Sequence, residues 1–130
     1  MREKIKLALI AHDGKKASMV SFVMKRLEFF NKRDVEIVTT GTTGEMISHA
    51  GVDKVQRVNS GPFGGDAEIA AMVVRGEIHG VVFFRDPLGK HPHEPDIQML
   101  MRLCDVHDVP LATNYRAGHI MVKYFDKKYE

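Results

Sequence analysis

Ile5-Lys6-Leu7-Ala8-Leu9-Ile10-Ala11, followed at once by His12-Asp13-Gly14-Lys15-Lys16, decides how the rest of the chain is read. A near-continuous apolar run of strand length predicts a strand covered on both faces, as in a parallel sheet between helix layers. The polar residues after it mark the strand's carboxyl end. Beyond them Val20, Val23, Met24, Leu27 and Phe30 recur at helical spacing, with lysine, arginine and glutamate on the other side, which predicts a helix.

The same strand-then-helix unit recurs along the chain. Residues 35–39 predict a second strand, followed by Thr40-Gly41-Thr42-Thr43-Gly44 and a short helical stretch to Ala50. Residues 55–58 predict a third, more polar strand, ahead of the glycine-rich loop Ser60-Gly61-Pro62-Phe63-Gly64-Gly65-Asp66. A helix over 66–75 would bury Ile69, Met72 and Val73. Residues 81–84 predict a fourth strand, 85–96 a long Pro- and His-rich loop, and the next helix presents Ile97, Leu100, Met101 and Cys104. A fifth strand over 110–113 and a weak helix near 118–124 complete the chain. Five such units, without repeats or linkers, predict one α/β domain over residues 1–130, a parallel sheet with helices on both faces. The strand order is not legible.

Composition excludes several classes. Apolar residues make up 44% and charged residues 28%, ordinary for a globular protein that buries a core without disulfides or metal. No apolar run approaches the ~18 residues of a membrane helix, and the start carries no signal-peptide pattern, so a cytoplasmic protein with no membrane partner is expected. A net charge of +2, with few aromatics and no basic stripe, gives no support to nucleic-acid binding but suits a small anionic ligand. The single cysteine, Cys104, falls in a helical pattern and reads as a buried structural thiol.

Every expected strand ends in polar, small or charged residues, and in open α/β sheets ligands bind at that edge. Thr40-Gly41-Thr42-Thr43-Gly44 alone is equally an anion cradle or a turn with a threonine cap. Lys16, Ser60 and Gly61 at the same rim favour the cradle, since a dianion wants convergent donors and a cation. Asp66 reads either as a helix N-cap or as a base beside the anion; a helix N-terminus favours its ionised form. His91-Pro92-His93-Glu94-Pro95-Asp96 offers ligand types for a metal, but no second histidine pair completes an established spacing, so no metal is expected. His49, His79, His107 and His119 read as solvated surface residues. The rim as a whole gathers Asp13, Asp66, Asp86, Asp96, His12 and His93 around the cradle. Proton abstraction next to a carbonyl needs such groups, whereas anion storage does not.

Taken together, Ala11-His12-Asp13 with Lys16, the 40–44 and 60–66 loops, Asp86-Pro87-Leu88, the 91–96 loop and Ala112-Thr113-Asn114 make the chain resemble the methylglyoxal synthase family. The resemblance implies a flavodoxin-like three-layer α/β/α fold, usually a homohexamer, and cofactor-free conversion of dihydroxyacetone phosphate to methylglyoxal and inorganic phosphate, a lyase step of a glycolytic bypass. Phosphate would be product and possible inhibitor. In the family's terms Asp66 looks like the base that removes a proton from the carbon between carbonyl and phosphate ester, and His93 like the group that polarises the carbonyl and shuttles protons on the ene-diolate oxygens. Lys16, Thr40, Thr42, Thr43, Ser60 and Gly61, with His12, look like the phosphate-binding set. Asp13, Asp86 and Asp96 look like supporting carboxylates, Asp96 placed to hold His93. Arg85 stands where the family commonly has an aromatic residue, and Glu94 where aspartate is common. Some members bring a neighbouring subunit's C-terminal arginine into the site. Here no arginine follows Arg116 and the chain stops soon after Tyr129, so either Arg85, Lys123 or the terminal lysines substitute, or the oligomer-linked contact is absent. Two other readings stand beside this one: a non-catalytic phosphate- or nucleotide-binding regulatory domain of the same fold, as in carbamoyl phosphate synthetase large subunits, and a metal-dependent hydrolase using His91 and His93.

Overall fold

The run that decides the reading is strand β1, Ile5–Ala11, and it occupies the centre of a five-stranded sheet. The computed structural model describes residues 4–91 and 94–128. Strands β2 (Val35–Thr40), β3 (Gln56–Val58), β4 (Gly80–Phe84) and β5 (Leu111–Ala112) complete the sheet, all pairing in parallel in the order β3-β2-β1-β4-β5. Side chains of β1 alternate between two cores. Ile5, Leu7, Leu9 and Ala11 pack under one helix layer, and Ala8 and Ile10 under the other. A strand buried on both faces has no solvent side for polar residues, which is why its sequence does not alternate.

Helices α1 (Lys16–Lys25), α2 (Leu27–Phe30), α3 (Gly41–His49), α4 (Gly65–Val74), α5 (Glu94–Val106) and α6 (Tyr115–Lys128) connect and cover the strands. Residues of α1, α2, α3 and α6 join one core, and residues of α4 and α5 the other, giving the expected three layers. Within that class the order differs from the 2-1-3-4-5 of flavodoxin itself, and the reversal of winding falls between β1 and β4.

Local boundaries depart from expectation where tertiary packing overrides pattern. The first helix is broken at Arg26, and it buries Met19, Phe22 and Val23 while Met24 stands 59% exposed. Of the expected face Val23 and Phe30 are buried and Leu27 packs against the core, whereas Met24 is exposed and Met19, Phe22 and Phe29 take up the rest of the buried surface. The last helix is no weak turn but runs for 14 residues from Tyr115, burying Met121, Val122 and Phe125. Asn114 caps it by accepting the Ala117 N–H at 2.9 Å. Strand β5 shrinks to two residues because it pairs with β4 alone.

Candidate active-site cleft

The loops that leave β1 to β4 at their carboxyl ends surround a cleft of about 370 Å³. On the β2 side, α3 starts directly at Gly41, so Thr42 and Thr43 lie in its first turn rather than in a preceding loop. Gly41 has φ 33°, and a Cβ there would lie 2.7 Å from the Cβ of Ser60. The threonine and serine segments thereby touch, which only glycine permits.

The 60–66 segment is a short 3-10 turn over Gly61–Phe63, closed by N–H bonds from Phe63 and Gly65 to the Ser60 carbonyl at 3.0 and 3.1 Å. Gly64, at φ 95°, caps α4. A Cβ on Gly65 would meet the Asn59 carbonyl oxygen at 1.8 Å, so α4 starts flush against the chain that leaves β3. Asp66 is therefore not the N-cap but the second helical residue, fully buried and lining the cleft. The partial positive charge of the helix start favours a carboxylate there.

From β1, Lys16 pairs with Asp13 at 2.8 Å and also donates to the Thr42 hydroxyl. The hydrogen bond and charge of Lys16 hold the Asp13 carboxyl below the usual range. His12 is 5% exposed. Its Nδ1 accepts the Asp86 N–H at 2.9 Å, so the ring's own proton sits on Nε2. The ring stacks on His91 with centroids 3.6 Å apart and 21° between planes, and meets Phe83 edge-on at 5.0 Å.

Nine of the expected site residues thus face one space: His12, Asp13, Lys16, Thr40, Thr42, Thr43, Ser60, Gly61 and Asp66. Two do not. Asp86 contributes its backbone to His12, while its carboxylate accepts the Leu88 N–H at 3.1 Å within its own turn. Asp96 lies in the first turn of α5, away from the cleft lining. His93 lies outside the described residues. Lys90, which the sequence did not single out, lines the cleft; its one legible signal was a place beside His91 in a loop already suspected. Neither Arg85 nor Lys123 reaches the lining: Arg85 forms a neighbouring hollow with Lys15, Thr113 and Tyr115 and faces Glu94 at 3.4 Å.

Elsewhere two histidines expected to be solvated have partners. His79 Nδ1 accepts the Lys6 N–H at 2.9 Å, and His119 Nδ1 accepts from Arg26 Nε at 2.8 Å. Cys104 is buried as expected, its thiol pushed up to about 11 by burial and by Asp105. Among the described residues no group of three or more His, Cys, Asp or Glu side chains is arranged to hold a metal ion. No helix of the described residues is long and apolar enough to cross a membrane.

A doubly wound parallel sheet gathers hydroxyl groups, two lysines and two helix starts around a buried carboxylate, the architecture of an α/β protein with a polar cleft at the carboxyl edge of its sheet. The family described as "MGS-like domain" matches residues 21–113. A methylglyoxal synthase of Carboxydothermus hydrogenoformans is 51% identical over 119 residues, covering 92% of this chain and 97% of that protein. One of Geobacillus sp. is 50% identical over 123 residues, covering 95% and 86%. Among solved structures, methylglyoxal synthase from Elizabethkingia anophelis NUHP1 superposes with a TM-score of 0.84 at 36% identity, covering 94% of this chain and 79% of that one. The chain belongs to the methylglyoxal synthase family.

Proposed function

We propose that the protein converts dihydroxyacetone phosphate to methylglyoxal and inorganic phosphate without a cofactor, as a cytoplasmic carbon–oxygen lyase in a single catalytic domain. The observation that carries this reading is the placement of Asp66: a buried carboxylate opening on the same cleft as Lys16, Thr40, Thr42, Thr43, Ser60 and Gly61. A carboxylate beside an anion cradle opposes simple anion storage but suits attack on a C–H bond of a phosphorylated ketone.

The chemistry fixes which C–H bond. Loss of the proton from the phosphate-bearing carbon, which the resemblance implies, would leave the phosphate on a vinylic carbon from which it cannot depart. Loss from the hydroxymethyl carbon instead gives an ene-diolate with oxygen on both alkene carbons. A proton then passes from the terminal hydroxyl to the central oxygen. The terminal oxygen forms the aldehyde C=O, the double bond shifts toward the ester carbon, and the C–O bond to phosphate breaks with its electron pair leaving on phosphate. The product is the enol of methylglyoxal, which takes a proton at its methylene carbon. Asp66 is the base, and His93 is assigned to polarise the carbonyl and carry the proton between the two oxygens. The cradle holds the phosphate with the breaking bond near perpendicular to the ene-diolate plane and receives the departing charge. His12, fixed as the Nε2–H tautomer by Asp86, adds a donor at the same rim. Asp13 tunes Lys16. Asp86 orients His12 through its backbone, and Asp96, in the first turn of α5, is assigned to hold His93. A homohexamer is the assembly we expect for this chain.

Incubation with dihydroxyacetone phosphate in the presence of EDTA tests the reading. Methylglyoxal and phosphate released in equal amounts are expected. Absence of both products, with phosphate still bound, would instead identify a binding domain, and activity only with added zinc or manganese a metal-dependent hydrolase.

A further inference from the structure

Lys16 is the cation that the sequence assigns to the anion, yet it already faces a carboxylate at 2.8 Å and a hydroxyl. With Asp66 also in the lining, the charges of Asp13, Lys16 and Asp66 sum to one negative, which repels a dianion. The remaining lysine of the lining is Lys90, and among the described residues it has no ion pair.

Lys90 is an exposed residue of a loop, where a lysine is ordinarily mobile and of little consequence. This loop is pinned at both ends to one residue. At its start the Asp86 N–H is bonded to His12 Nδ1, and at its end the His91 ring lies flat on the His12 ring, 3.6 Å away. Between these points Gly89 N–H closes on the Asp86 carbonyl at 3.4 Å, and Leu88 N–H on the Asp86 carboxylate at 3.1 Å. The His91 carbonyl accepts the Glu94 N–H at 3.2 Å, tying the loop to α5. Lys90, next to the stacked His91, is consequently carried to the cleft mouth by a clamped backbone.

We propose that Lys90 is a binding and specificity residue: the second cation for the dianionic phosphate, delivered from the β4–α5 loop by the double clamp on His12. It makes the site selective for doubly charged phosphate esters over singly charged or neutral analogues. The proposal rests on the phosphate-ester reading of the cleft, and direct binding of inorganic phosphate separates the two.

Calorimetric titration of the full chain with inorganic phosphate at neutral pH, for wild type, Lys90→Gln and Lys90→Arg, is the test. Loss of one charge-assisted contact should raise the phosphate Kd about 5- to 20-fold in Lys90→Gln and flatten its dependence on ionic strength, with Lys90→Arg restoring both. With dihydroxyacetone phosphate Lys90→Gln should raise KM and lower kcat/KM, and Lys90→Arg should restore both. Unchanged phosphate affinity in Lys90→Gln, or a loss that Lys90→Arg does not restore while circular dichroism shows both variants folded, overturns the proposal. Should phosphate binding follow Lys90 as expected while even wild type yields no methylglyoxal, the role of Lys90 stands and the proposed reaction falls.

Discussion

His12 Nδ1 accepts the Asp86 N–H at 2.9 Å, and His119 Nδ1 accepts the Arg26 Nε–H at 2.8 Å. Each ring also meets an aromatic edge-on, His12 against Phe83 at 5.0 Å and His119 against Phe22 at 4.9 Å. The wiring fixes the same neutral tautomer in both places. The surroundings differ. His119 packs between α1 and α6 near Arg26, Lys25 and Lys123, and burial followed by those charges pushes its pKa below 6.5. His12 lies at the rim among Asp13, Asp66 and Lys16 and carries the loop that delivers Lys90. Two histidines held as acceptors at Nδ1 thus differ in what surrounds them, cleft groups for His12 and helix packing for His119, not in the bond that holds them.

The largest effect that sharpens this contrast lies in the neighbour rather than in either ring. Asp66→Asn keeps the shape of the rim and removes the proposed base, so turnover should fall by ~10²–10⁴-fold while calorimetric phosphate binding survives. Near-normal turnover would remove Asp66 from the mechanism. Next, His12→Gln should lower kcat on the order of tenfold or more through loss of a positioned donor and of the loop clamp, whereas His119→Gln should leave kcat unchanged. Equal losses in the two variants would erase the distinction.

His119 should reveal itself in stability instead. In the unfolded chain its imidazole takes up a proton near pH 6.5, but the fold resists that proton until lower pH. Stability is therefore present above pH 6.5 and is lost as the pH falls through the folded value. Denaturant melts of wild type between pH 7.5 and 5 should show this decline, and His119→Gln should flatten it, its side-chain oxygen still accepting from Arg26. The smallest effect is local: Asn114→Ala removes the cap of α6, the helix that carries His119, and should cost about 1 kcal/mol in the same melts without altering KM.

Much of the candidate site was legible because its parts are local. Threonine and serine beside glycine, a lysine one turn after a strand, and a carboxylate at a helix start each declare themselves within a few residues. What failed to read was relational. Asp86 looked like a site carboxylate, but its side chain turns back on Leu88 and its backbone acts on His12. Lys90 carried only the faint signal of its place beside His91, since an exposed loop lysine is ordinary until the fold clamps it. His79 and His119 looked solvated because their partners lie far off in sequence.

By itself the sequence determined five strand-and-helix units, a central strand buried on both faces, and the glycine positions that let Ser60 touch Gly41 and α4 abut Asn59. These are consequences of local periodicity and backbone sterics, which a chain carries with it. Only the tertiary structure decided the order β3-β2-β1-β4-β5, and with it the meeting of residues 12 and 86, 74 positions apart. Such a meeting depends on which strands become neighbours and where the winding reverses, and periodicity within a single strand is blind to both.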